Sequence, residues 1–164
     1  MAVEMELVGI EVERPPNIPC LLLRETTGDR RVLPIFIGGP EATAIAFALE
    51  NVETPRPMTH DLMRTLLDEL GARIERIVVT ELRESTFFAE IVLSQAGEVR
   101  SISSRPSDAV ALAVRVGAPL FAEEVVLDEA GRAAGSDGEA DVPDEVVEEF
   151  KAFIDQVNPE DFAS

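Results

Sequence analysis

Two stretches 67 residues apart constrain this chain most: PEATAIA (40–46) and SDAVALA (107–113). Both place small apolar residues at helical spacing, and alanine-rich helices let their backbones come close to a sheet. Each is preceded by two strand-like segments. PCLLLRE (19–25) and RRVLPIFIG (30–38) stand before the first; TFFAEIVLS (86–94) and EVRSIS (98–103) stand before the second. A ββα unit used twice around one sheet is the economical reading. MELVGIEVE (5–13) and RIERIVVTEL (73–82) add two longer strands, and the turn segments TTGD, RES and QAG join neighbouring strands as hairpins. The expected fold is α+β: a mixed, largely antiparallel β-sheet flanked by helices.

Helix boundaries follow from local chemistry. Gly39 and Pro40 open the first helix, since proline suits the first helical position, and its apolar face reads Ala42, Ile45, Ala46, Leu49. ETPRPM leads into a second helix with Thr59 as candidate N-cap, an apolar side of Leu62, Met63, Leu66, Leu67 and Leu70, and Gly71 as its stop. The third, SRPSDAVALAVRVG (104–117), has Pro106 and Asp108 in its first turn, Ser104 or Ser107 as cap formers, and Gly117 at its end. APLFA (118–122) reads as a short strand and EEVVLDEAG (123–131) as a short helix.

These elements form one domain over residues 1–130. GRAAGSDGEADV (131–142) has the composition of a flexible linker. Residues 143–164 follow as an acidic amphipathic helix, with Val146, Val147, Phe150, Phe153, Ile154 and Val157 on one side. That side needs a surface: its own domain, a neighbouring subunit or a protein partner.

The net charge is −18, unevenly spread. Residues 1–122 carry 18 acids and 12 bases, net −6; residues 123–164 carry 14 acids and 2 bases, net −12. Affinity for phosphate backbones comes from clustered Lys and Arg, so this balance weighs against strong non-specific nucleic-acid binding. The bases of the first 122 residues are all arginine, the residue suited to bidentate contact with phosphate or carboxylate. No apolar run reaches the roughly 18–20 residues of a membrane span, and the N-terminal segment has neither a signal- nor a transit-peptide pattern. A single cysteine, Cys20, forms no internal disulfide and no multi-cysteine zinc site. It reads as a buried strand residue of a cytoplasmic protein.

Polar chemistry gathers at three helix starts: Glu41, the segment PRPMTHD (55–61) and the segment SSRPSDA (103–109). Each has a plain structural use, because an acid in a first turn complements the helix dipole. Together they suggest more. Arg56 and Arg105 each precede a proline, which holds them extended. His60, the only histidine, can serve as a base or a metal ligand. Glu41, Asp61 and Asp108 could share a hard divalent cation such as Mg²⁺ or Mn²⁺, which takes oxygen ligands and can activate water. No P-loop, HExxH, Cys/His zinc pattern or nucleophile elbow is present.

At these residues the chain resembles a known family. RVLPIFIGGPEATAIAFAL (31–49), ETPRPMTHDLMRTLLDELGA (53–72), STFFAEIVL (85–93) and RPSDAVALAVRVGAPLF (105–121), in this order and spacing, look like the bifunctional nuclease domain family. The resemblance covers about residues 5–130. It implies a compact α+β domain that self-associates as a dimer or higher homo-oligomer, and cleavage of DNA and RNA. The matched polar residues are Glu41, Arg56, Thr59, His60, Asp61, Arg105, Ser107 and Asp108. The chain departs from the pattern at Ser103, where an acid is common, and at Ser85 and Phe88, where glycine and tyrosine are usual. Some relatives carry a C-terminal module associated with nucleotide-excision proteins; the linker and acidic helix stand there instead.

Two functions follow as expectations. One is a cytoplasmic, metal-assisted nuclease of little sequence preference, with His60, Asp61 and Asp108 catalytic. Arg56, Arg105, Thr59 and Ser107 would contact substrate, and Glu41, Asp61 and Asp108 would hold the metal. The other is a non-enzymatic regulatory module that binds a small anion or a protein. No organic cofactor and no membrane partner is expected.

Overall fold

A computed structural model describes residues 1–13 and 17–134. The strands are β1 (Ala2–Glu13), β2 (Ile18–Glu25), β3 (Val32–Phe36), β4 (Ala72–Arg83), β5 (Thr86–Gln95), β6 (Glu98–Ser104) and β7 (Leu120–Glu123). The helices are α1 (Gly39–Leu49), α2 (Thr59–Glu69), α3 (Pro106–Val116) and α4 (Glu124–Ala130). All seven strands join one sheet in the order β3-β2-β1-β7-β4-β5-β6. Every pairing is antiparallel except β4 with β7, so the sheet is mixed, and the protein is α+β as expected.

The duplication is larger than the paired helices suggest. On either side of β7 the order mirrors itself: β1, β2, β3 run outward one way and β4, β5, β6 the other. Helix α1 follows the first meander and α3 the second. Their first residues, Gly39 and Pro106, differ by the same 67 positions as the repeat. The repeated unit is therefore βββα, with β7 inserted between the two copies.

One face of the sheet holds the core. Met5, Leu21, Leu23, Leu33, Ile35, Ile77, Val79, Ala89, Ile91, Leu120 and Ala122 form one buried cluster with residues of α1, α3 and α4. Their strand registers agree: Met5 stands opposite Leu120, Leu23 opposite Leu33, and Ile77 opposite both Leu120 and Ile91. In α1 the run Ala42–Phe47 is buried without a break, and in α3 so is Ala109–Ala113. Such helices are walled on several sides, as a helix that is apolar all round must be. Leu49, expected on the core side of α1, is exposed, because the helix has reached its last turn and left the sheet. Helix α3 stops at Gly117, whose φ of 70° suits glycine, and the Ala118 N–H reaches back to the Ala113 carbonyl.

Helix α2 corrects a second expectation. Of its apolar side only Met63 and Leu67 pack against the core, whereas Leu62, Leu66 and Leu70 are 50%, 52% and 65% exposed. The five residues span more of the helix surface than α3 and β4 offer to cover. Cys20 is buried in β2 as expected. Beyond residue 130, Arg132 exchanges backbone hydrogen bonds with Val32 on the β3 edge. The rest of the predicted linker after Ala134, and the helix predicted over 143–164, lie outside the described residues.

Among the described residues no helix is long and apolar enough to cross a membrane.

Candidate functional site

The duplicated helices α1 and α3 pack against each other, so their first turns, with Glu41 and Asp108, come to one end of the pair. Helix α2 leans on α3 and brings His60 to the same corner. His60 Nε2 lies 2.9 Å from Asp108 Oδ1, and the imidazole is buried. A carboxylate at that distance needs a proton on Nε2, so that in the neutral form of the ring Nδ1 is the acceptor. Nδ1 has no hydrogen-bond partner among the described residues.

Arg105 completes the corner. Its backbone is extended, with φ −73° and ψ 143°, as expected for a residue before proline. Nε donates to Asp108 Oδ2 at 2.7 Å, and Nη2 donates to Asp108 Oδ1 at 3.1 Å and to Glu41 Oε1 at 3.2 Å. One guanidinium thus ties the two helix starts together. Its side chain is 64% exposed, and Nη1 makes no bond among the described residues. Burial opposes the charge on Asp108, but hydrogen bonds from Arg105 and His60 outweigh it and hold the carboxyl below its ordinary 3.8. The hydrogen bond to Asp108 in turn raises Arg105. Gly38 is the position equivalent to Arg105 in the first half. A Cβ there would run into the carboxylate of Glu41, which folds back over it.

Asp61 is placed elsewhere. Its Oδ1 accepts from Arg115 Nε at 2.7 Å, and its Oδ2 accepts from the Met58 N–H at 3.0 Å. Burial works against its charge, and these two bonds overcome that and lower its pKa from the ordinary 3.8. The Met58 bond also does the capping expected of Thr59: the N-cap of α2 is Met58, and Thr59 is exposed in the first turn. Likewise the N-cap of α3 is Arg105. Ser107 is buried, and the buried Ser104 Oγ has no partner among the described residues. Arg56 is exposed. Its carbonyl accepts from Thr54 Oγ1 at 2.6 Å, and its guanidinium has no ion-pair partner among the described residues.

The structure therefore brings Glu41, His60, Arg105 and Asp108 together, sets Asp61 aside, and leaves Arg56 free in the connection before α2. The donors do not fit a metal ion as they stand. Among the described residues no three His, Cys, Asp or Glu side chains form a group that would hold one. Between Glu41 and Asp108 the cation is Arg105 itself. In the sequence Arg115 reads only as a cation suited to the end of α3, and its burial in the structure is what reveals its partners.

The chain belongs to the bifunctional nuclease domain family, whose pattern matches residues 21–134. It is 48% identical over 163 residues, 97% of either chain, to a Mycobacterium tuberculosis protein described as uncharacterized. Bifunctional nuclease 1 of Arabidopsis thaliana is 30% identical over 105 residues, which cover 62% of this chain and 32% of the plant protein. Bifunctional nuclease of Oryza minuta is 24% identical over 103 residues, 61% of this chain and 31% of its own length.

Proposed function

We propose that the chain hydrolyses phosphodiester bonds of DNA and RNA, with little sequence preference, at the corner formed by His60, Asp108, Arg105 and Glu41. The observation that carries this reading is the 2.9 Å bond from His60 Nε2 to Asp108, joined to an arginine with an unused donor. Family membership supports the substrate class.

In this reading Asp108 holds the Nε2–H tautomer, so Nδ1 takes a proton from the attacking water. The water oxygen bonds to phosphorus, the bond to the leaving sugar oxygen breaks, and that oxygen takes a proton from solvent. Arg105 Nη1 donates to a non-bridging phosphate oxygen, and Arg56 supplies a second cation from the connection before α2. Glu41 keeps Arg105 at the helix junction. Thr59, exposed beside His60, contacts the phosphate, Ser107 is buried and does not, and Asp61 orients the first turn of α2. No step runs through a metal; Mg²⁺ or Mn²⁺ held by Glu41, Asp61 and Asp108 would require Arg105 and Arg115 to release them. The reading also includes a cytoplasmic homo-oligomer whose C-terminal segment docks on its own domain, a neighbouring subunit or a protein partner.

The test is cleavage of single- and double-stranded DNA and RNA by the purified protein, with and without Mg²⁺ or Mn²⁺, beside His60→Asn and Arg105→Met. Loss of the base should slow cleavage by roughly 100-fold or more, and Arg105→Met should raise KM. Unchanged cleavage by His60→Asn sinks the site.

The net charge of −18 favours a second reading, a regulatory module that binds a small anion or a protein without catalysis. Absence of cleavage under every condition would put that reading first.

A further inference from the structure

We infer that Arg115, outside the corner itself, is the positioning residue that sets the orientation of His60. Its side chain is only 6% exposed, and all three of its nitrogens are engaged. Nε donates to Asp61 Oδ1 at 2.7 Å, Nη1 to the Ala111 carbonyl at 2.8 Å, and Nη2 to the Ala44 carbonyl at 3.0 Å. One buried guanidinium therefore joins α1, α3 and the first turn of α2.

The packing of α2 explains why this matters. With Leu62, Leu66 and Leu70 exposed, the described apolar support of the helix is Met63 and Leu67 beside the buried His60, with Met58 at the N-cap against Ala46 and Phe47. So few apolar contacts leave its rotation about its own axis weakly determined. Two polar attachments to α3 settle it. His60 meets Asp108 in the first turn of α3, and Asp61 meets Arg115 in the last, seven residues on. At 1.5 Å per residue those anchor points are about 10 Å apart along α3. A single anchor is a pivot; two anchors at that separation fix direction. Releasing Asp61 would let the first turn rotate and draw the imidazole off Asp108.

The claim about orientation stands on this geometry alone, whereas its effect on cleavage rests on the function proposed above. The experiment separates them, because His60 is the only histidine and its imidazole gives one unambiguous set of NMR signals. Imidazole ¹⁵N shifts and Nε2–H exchange would be recorded for the whole chain and for Arg115→Lys, Arg115→Met and Asp61→Asn. Circular dichroism and thermal unfolding would confirm that each is folded. In the unaltered protein Nε2 should carry a protected proton. In the variants that proton should exchange at least about tenfold faster, as expected for a hydrogen bond weakened by 1.4 kcal/mol or more. Arg115→Lys, which keeps the charge but not the three-way fork, should not restore it. If Arg115→Met does not fold, Asp61→Asn decides, since it keeps size and leaves the arginine bonded to both carbonyls. Unaltered imidazole signals in a folded Asp61→Asn protein would overturn the inference. Where the protein cleaves nucleic acid, the same variants should lose kcat by roughly 10–100-fold with little change in KM, the mark of a misplaced group. Altered imidazole signals in a protein that cleaves nothing would uphold the positioning role and reject the nuclease reading.

Discussion

The two βββα halves share their plan but differ in how each uses arginine. In the first half Arg31, at the start of β3, lies 2.7 Å from the buried Glu25 and reaches Glu124 at 2.6 Å and Asp128 at 2.9 Å on α4. It is 19% exposed, and its hydrogen bonds to Glu25 and Glu124 raise its already high pKa further. In the second half Arg105 makes a similar cluster, with two acids where Arg31 has three, but is 64% exposed. Burial separates the roles. A guanidinium shut in with carboxylates fastens a sheet edge to a helix, and one open to water can exchange an acid for a phosphate.

The same substitution in both places tests this most sharply. Arg31→Met leaves the buried Glu25 without its cation, though still bonded to the backbone N–H of residue 31, and should cost about 3–5 kcal/mol, read as a fall in denaturant midpoint. Arg105→Met, at an exposed pair, should cost less than about 1 kcal/mol, while any nucleic-acid cleavage is impaired. Equal stability losses would erase the distinction between the halves.

Acid titration gives a smaller, graded effect. Asp108 and Asp61 both have folded pKa values lowered from 3.8. Their contribution to stability is complete above that value and is lost as pH falls below it, through the folded values. Thermal melts in that range should show the unaltered protein losing stability more steeply than Asp61→Asn or Asp108→Asn. Parallel slopes would mean that neither acid is held as the geometry indicates.

The smallest effect concerns the β4–β5 turn, where Glu84 and Ser85 take left-handed φ values of 49° and 62°. The corresponding β5–β6 turn has glycine, Gly97, at its second position, φ 82°. Ser85→Gly should stabilise the protein by about 0.5–1 kcal/mol by relieving that strain. No gain in melting temperature would show that the serine sits there without cost.

The fold was largely legible in the sequence because its strongest signals are local. Small residues at helical spacing, hairpin turns and glycine stops each announce themselves within a few positions. What was not legible depended on how much surface neighbours provide. Leu62, Leu66 and Leu70 look like core residues until α3 and β4 prove too narrow to cover them. At the site, the shared end of α1 and α3 could be guessed from the repeat, which puts Glu41 and Asp108 at equivalent positions. The partners could not. Asp61 bonds a residue 54 positions away, and Arg31 bonds Glu124 at 93. Periodicity carries no information about such pairs.

Strand β7 has a consequence for the order of assembly. The sheet order places β1 and β4 on either side of it and not beside each other. During synthesis each meander can form its own hairpins, but no ladder links the two until Leu120–Glu123 has been made. Closure of the sheet then waits on four residues near the end of the domain, pairing with partners as far back as Ala2. Contacts so distant in sequence are slow to form. The two copies of the repeat become one sheet only with the last strand, like an arch that stands when its keystone is set.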